Sequence, residues 1–233
     1  MRDTVLTIPS DVQFFERSMT ADDVAKLLKG TRNPVMVEVG AHDGSDSVQF
    51  LDAIPCLHLV CVEPDPRAVD RLKAKIYKHY KAHVVQLAYG SKWDYQAKFY
   101  QSHGEHGEVR DWDASGSLCV PALHREVHPW CEFREITTFL VRMDDDVSTW
   151  INSYTNCIDL IWMDVQGGER GVIEGGRETL KRTRYVYAEF NLHESPLYEG
   201  DMNLEETMKC LGDDWWPVAV YGNNLLAKNL RME

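Results

Sequence analysis

The residues able to do chemistry in this chain fall at the ends of apolar runs. The stretch Glu38-Val39-Gly40-Ala41-His42-Asp43-Gly44 closes a run of small and branched apolar residues that follows Asn33-Pro34. That pattern describes a strand buried on both faces and stopped by a Gly-x-x-x-Gly turn. Glycines at 40 and 44 remove side chains where a backbone must bend and approach a ligand, and a helix expected from Asp46 to Ile54 aims its amide-rich end at the same place. A second apolar run, Leu57 to Val62, ends in Glu63-Pro64. Its carboxylate therefore sits about one βαβ unit downstream, where a nucleotide ribose presents hydroxyls. Later runs end in Asp164-Val165-Gln166 and in Glu189-Phe190-Asn191-Leu192-His193. Acids, an amide and an imidazole at such positions suit proton abstraction from an acceptor or ligation of a hard cation.

The first turn departs from the dinucleotide fingerprint Gly-x-Gly-x-x-Gly, and Glu38 puts a negative charge where a pyrophosphate would lie. A ligand with a cationic portion fits better. S-adenosylmethionine has ammonium and sulfonium groups together with an adenosine for Glu63. The expected cofactor contacts are Glu38, Gly40, Ala41, His42, Asp43, Gly44, Glu63 and Pro64. Ala88 and Tyr89, ending a third strand, are expected beside the adenine. Ser117, in the small polar segment Ser115-Gly116-Ser117, and Asp164 with Gln166 complete the set.

The elements that must position these groups fit one α/β domain of 233 residues. Residues 1–33 are expected as an N-terminal helical extension, with Thr20 capping a helix from Ala21 to Lys29 and Gly30 closing it. Asp65 with Pro66 starts a helix carrying Val69, Leu72 and Ile76 at helical spacing. Val84 to Tyr89 reads as the third strand, and Ala97 to Tyr100 as a short one. Residues 101–135 are poor in aliphatics and hold His103, His106, His124 and His128, four of nine histidines. A loop of that length is expected to face substrate, and its histidine spacings match no zinc pattern. Ile136 to Met143 reads as a strand, with Asp144-Asp145-Asp146 capping a helix striped by Val147, Trp150, Ile151 and Tyr154. Strands Ile158–Met163 and Arg184–Phe190 follow. Gly222-Asn223-Asn224 then turns a closing hairpin, with Trp215-Trp216 as a packed lid or an acceptor platform.

The formal net charge of −12 argues against long phosphate-tracking surfaces, so nucleic acid is an unfavoured partner. Six cysteines without a Cys-x-x-Cys pair suggest a reducing compartment. Met1-Arg2-Asp3 opens no apolar signal core and no segment is long enough to span a bilayer, which makes cytoplasmic the expected location. The oligomeric state is not legible.

Five strand-helix units and a terminal hairpin fit the Rossmann-like open sheet of class I methyltransferases: seven mostly parallel strands, helices on both faces and an antiparallel hairpin at the C-terminal end. The segments Glu38–Gly44, Val62-Glu63-Pro64, Leu160-Ile161-Trp162-Met163-Asp164-Val165-Gln166-Gly167-Gly168-Glu169 and Tyr187-Ala188-Glu189 resemble successive signatures of the FkbM family of S-adenosylmethionine-dependent methyltransferases. Leu197-Tyr198-Glu199-Gly200 is similar to a segment of some members, and the likeness runs from about Val35 to Lys228. Trp162 stands where many members have lysine. The resemblance implies O-methylation of a sugar or another small hydroxylated acceptor. Asp164, Glu189 and Asn191 are also similar in arrangement to the magnesium site of catechol-type O-methyltransferases, which makes Mg2+ a candidate cofactor. Without a metal, Asp164 takes an organising or base role, and His193 is the alternative base. Two other functions stay open: a regulatory module that binds cofactor without turnover, and methylation of nucleic acid.

Overall fold

The computed structural model describes residues 9–151, 157–194 and 196–232. In chain order the strands are β1 (Gln13–Phe15), β2 (Val35–Val39), β3 (His58–Val62), β4 (Ala82–Val85), β5 (Ala88–Tyr89), β6 (Asp94–Gly104), β7 (Cys131–Val141), β8 (Ile158–Met163), β9 (Thr183–Glu189), β10 (Trp215–Tyr221) and β11 (Asn224–Asn229). The helices are α1 (Ala21–Leu27), α2 (Ser45–Ala53), α3 (Pro66–Ile76), α4 (His124–Val127), α5 (Met143–Ile151), α6 (Glu169–Gly175), α7 (Arg177–Lys181) and α8 (Leu204–Leu211). Eight strands form the main sheet in the order β1-β10-β11-β9-β8-β2-β3-β4. Among them β11 alone runs against the others.

Alternation along β2 shows why this sheet is covered on both sides. Val35, Val37 and Val39 join a core with Val147 of α5, Val172 and Ile173 of α6, Leu180 of α7 and Met208 of α8. Met36 faces the other way, into a core with Val24 of α1, Phe50 of α2 and Leu72 of α3. Successive strand residues point to opposite faces, so a five-residue run with no exposed member needs a helical layer on each side. Each fully buried aliphatic side chain contributes about 1.5–3 kcal/mol.

Several expectations change in detail. The N-terminal segment holds the expected helix, capped reciprocally by Thr20 and Asp23, but also β1, which extends the main sheet to eight strands by pairing parallel with β10. The third strand divides: 82–85 stay in the main sheet, while Ala88 and Tyr89 pair with β7 in a separate three-stranded sheet ordered β5-β7-β6. Two 11-residue strands, β6 and β7, extend the strands expected at Ala97–Tyr100 and Ile136–Met143 into both ends of the region read as a loop. Asp144, Asp145 and Asp146 lie inside the first turn of α5. Asp144 accepts hydrogen bonds from the Glu178 and Thr179 amides at the start of α7, and Asp146 accepts one from the Tyr89 hydroxyl. Tyr154 of the expected stripe falls outside the described residues. Trp215 is buried and Trp216 is 42% exposed. Both open β10, at the sheet edge opposite the C-terminal ends of β2, β3 and β8, so neither forms a platform at those ends.

Candidate active site

The turn after β2 is stitched to the end of β3. The amides of Gly40 and Ala41 donate to the Val62 carbonyl, and the amide of Asp164 donates to Val39, bringing three strand ends together. Gly40 has φ +86°, and a Cβ there would collide with the Asp164 carbonyl oxygen. His42 also adopts a left-handed conformation, at φ +46°. This costs of order 1 kcal/mol or more and directs the His42 amide to Glu63 Oε2 at 2.8 Å. Glu63 Oε1 accepts from the Asp65 amide at 2.7 Å. Burial nonetheless raises the Glu63 carboxyl to about 7, against the pull of those two amides and of His42.

A cavity of about 1000 Å3, open mouth included, lies over these ends. Its wall combines apolar and acidic residues. Val62, Pro64, Leu87, Ala88, Phe99 and Leu118 make an apolar section, Glu63 stands beside Pro64, and Glu38, Asp46 and Asp164 supply acids. Glu38 is 2% exposed and accepts from the Ser47 hydroxyl. Burial lifts its carboxyl to about 8. Asp46 is raised by burial and by the charges of Asp164 and Asp43. Asp43 accepts from the Ser45 amide at the start of α2 and from Lys75. Burial works against its ionised form, but those bonds bring it down to about 2. A carboxylate therefore already occupies the helix terminus where a phosphate would bind. Trp162 lines the cavity while packing between Phe50, at 5.0 Å, and Tyr187, at 4.0 Å, so the indole is both floor and core.

A second cavity, of about 480 Å3, opens beside the first over the end of β9. Gln166 lines both. Its Nε2 donates to Asp164 Oδ1 at 2.7 Å and to Glu189 Oε2 at 3.2 Å, an arrangement that depends on its left-handed φ of +52°. Burial, then the charges of Asp164 and Glu169, push the Glu189 carboxyl well above the usual range.

Of the expected contacts, Glu38, Gly40, Ala41, His42, Asp43, Glu63, Pro64, Ala88, Tyr89, Asp164 and Gln166 all line the first cavity. Gly44 and Ser117 do not. Gly44 is needed elsewhere, since a Cβ there would lie 2.5 Å from a Leu72 methyl of α3. The Ser117 hydroxyl, 1% exposed, donates to the Gln166 carbonyl and accepts from the Cys119 amide, holding the loop behind the wall. His193 and Asn191 line the second cavity, away from the first. Magnesium does not fit the three residues proposed to ligate it. The Gln166 amide stands between Asp164 and Glu189, while Asn191 Oδ1 accepts from the His193 amide at 3.0 Å. Among the described residues no group of three acids, histidines or cysteines is arranged to hold a metal ion.

The sequence pattern missed Asp113, contributed by the 101–135 region. It lines the first cavity, accepts from His42 Nε2 at 2.8 Å and pairs with Arg71 of α3. Nothing in the run Trp112-Asp113-Ala114 signals this, because both partners are distant in sequence. The loop histidines serve packing: His106 stacks on Trp130 at 4.3 Å, and His124 is buried against Phe133, His128 and Tyr198. None of the cysteines is in a disulfide, and among the described residues no helix is long and apolar enough to cross a membrane.

The profile of the methyltransferase FkbM domain matches residues 38–214. The 2-O-methyltransferase NoeI of Sinorhizobium fredii (strain NBRC 101917 / NGR234) is 37% identical over 180 residues, covering 77% of this chain and 71% of that protein. Solved structures resemble it distantly. A putative O-methyltransferase from Klebsiella pneumoniae aligns with TM-score 0.49 and 9% identity, over 90% of this chain and 79% of that one. Aeropyrum pernix fibrillarin, solved with natively bound S-adenosyl-L-methionine, aligns with TM-score 0.44 and 12% identity, over 90% and 75%. With the profile spanning most of its length and a relative this similar, the chain belongs to the FkbM family of S-adenosylmethionine-dependent methyltransferases.

Proposed function

We propose that the protein is an O-methyltransferase whose donor occupies the first cavity and whose acceptor is a sugar or another small polyhydroxyl compound. The observation that carries this is the polarity of the first cavity. An apolar section, a carboxyl for ribose hydroxyls and an acidic end match adenine, ribose and the cationic sulfonium and amino-acid portion in turn. NoeI is a 2-O-methyltransferase, which supports oxygen as the methylated atom.

S-adenosylmethionine supplies the methyl group: the acceptor oxygen bonds to the methyl carbon, the carbon–sulfur bond breaks with its electron pair staying on sulfur, and the hydroxyl proton goes to Asp164. The chain's own residues do the rest. Glu63 is held by two amides with lone pairs left to accept ribose hydroxyls. Gln166 fixes the Asp164 carboxylate at the partition between the cavities. Positioning of this kind is worth up to about 7–11 kcal/mol. A correctly placed base adds about 10²–10⁴-fold. His193 stands in the second cavity as a contact for the acceptor rather than as the base.

The test is transfer of labelled methyl to a panel of glycosides by the wild type and by Asp164→Asn. The variant should lose about 10²-fold or more in kcat. Label on an acceptor nitrogen or carbon, or an undiminished kcat in the variant, would refute the assignment.

A further inference from the structure

The second cavity has a chemical bias that narrows the acceptor. Its polar wall holds Glu169, Glu189 and Asp201 beside Asn191, His193 and Asn223, and among the described residues no lysine or arginine lines it. Each side-chain amide in the lining already donates to an acid or to the loop. Asn223 Nδ2 donates to Glu189 at 2.6 Å, Gln166 Nε2 to Glu189 and Asp164, and Asn191 Nδ2 to the His193 carbonyl. An entering molecule therefore meets oxygen acceptors in excess, and stable binding requires it to bring its own donors. Leu192, a lining residue that is 68% exposed, marks the opening. Gln166 lines this cavity and the first one and holds Asp164 Oδ1, so a molecule bound here lies next to the first cavity.

We infer that this cavity is the acceptor subsite and that it selects polyhydroxyl acceptors free of anionic groups, rejecting carboxylated or phosphorylated counterparts. Hydroxyls donate to the wall's carboxyl oxygens, while an entering anion loses its hydration with no lysine or arginine in the described lining to offset the loss. The wall's own acids show the same resistance to negative charge. Burial pushes Glu169 up to about 8 and raises Asp201, and the charge of Asp164 adds to the rise at Glu169. The selection is independent of sugar stereochemistry and acts on charge alone.

This inference rests on the O-methyltransferase reading, and its test separates the two. Calorimetry first measures S-adenosylhomocysteine binding to the full chain; no binding would overturn the functional reading and the inference with it. Saturation-transfer NMR on the S-adenosylhomocysteine complex then compares neutral methyl hexosides, the matching methyl uronides and hexose phosphates. The neutral glycosides should bind at least tenfold more tightly than either anionic set. Leu192→Trp, which fills the opening, should abolish glycoside binding and leave S-adenosylhomocysteine affinity within twofold. Uronides or phosphates that bind as well as neutral glycosides overturn the inference. So does glycoside binding that survives Leu192→Trp, and so does a complex that holds S-adenosylhomocysteine but no glycoside.

Discussion

The two cavities share the C-terminal edge of one sheet and one residue, Gln166, yet they are built by different means. The first cavity is framed by main chain: left-handed residues at 40 and 42, amides turned onto Glu63, and a carbonyl at Asp164 that tolerates no Cβ opposite it. The second cavity is framed by side chains from the end of β9 and the segment after it, several of them joined to each other. Backbone framing is intolerant of change and independent of the acceptor. Side-chain framing can be altered residue by residue without unfolding the sheet, which suits the half of the site that must distinguish substrates.

The sharpest way to break this contrast is Gly40→Ala. It demands a positive φ from a residue with a Cβ and drives that atom into Asp164, so a loss of about 3 kcal/mol or more in stability is expected by urea denaturation. A loss under about 1 kcal/mol would mean the turn is not a rigid frame. Next comes Glu63→Ala, expected to weaken S-adenosylhomocysteine binding about 10- to 100-fold by calorimetry, or roughly 1.4–2.8 kcal/mol. Unchanged affinity would remove Glu63 from the site.

Smaller still is Asp113→Asn, which cuts the link from the 101–135 region to His42 and Arg71. Burial, the largest influence on His42, lowers its pKa, but the hydrogen bond and charge of Asp113, with Glu63 and Asp43, outweigh it and leave the pKa raised. A raised folded-state pKa stabilises fully below the unfolded value of about 6.5 and loses that effect as pH climbs through the folded value. The variant should therefore release S-adenosylhomocysteine faster than wild type by a margin larger at pH 6 than at pH 9. Stopped-flow displacement reads this, and a margin that grows with pH would contradict the link. The least effect belongs to Trp216→Ala at the far sheet edge: kcat within twofold of wild type and under about 1 kcal/mol of stability. A tenfold drop in kcat would return this tryptophan to the site.

The same contrast explains what was readable in advance. β2, β3 and β8 are apolar runs cut by Gly, Glu-Pro or Asp, and their end residues line the first cavity, so pattern alone located Glu63, Asp164 and Gln166. The strands of the second sheet were read too short, and not as a separate sheet, because its buried side is partly polar. Gln101 and Ser102 of β6 are 1% and 0% exposed. Gln101 is satisfied by Asp65 and Arg134, and Ser102 by the Ser115 amide. Partners that distant leave no periodic trace, and Asp113 escaped notice for the same reason. β1, only three residues long, has too little alternation to register.

That short first strand sets an order of events during synthesis. Gln13–Phe15 pairs with Ala219–Tyr221, and the Met19 amide donates to the Tyr187 hydroxyl. β1 must therefore wait for β10, made far later, before that rim of the molecule can close. The pair β2 and β3 can assemble on the nascent chain, whereas the rim built on β1 is finished only after translation has passed β10.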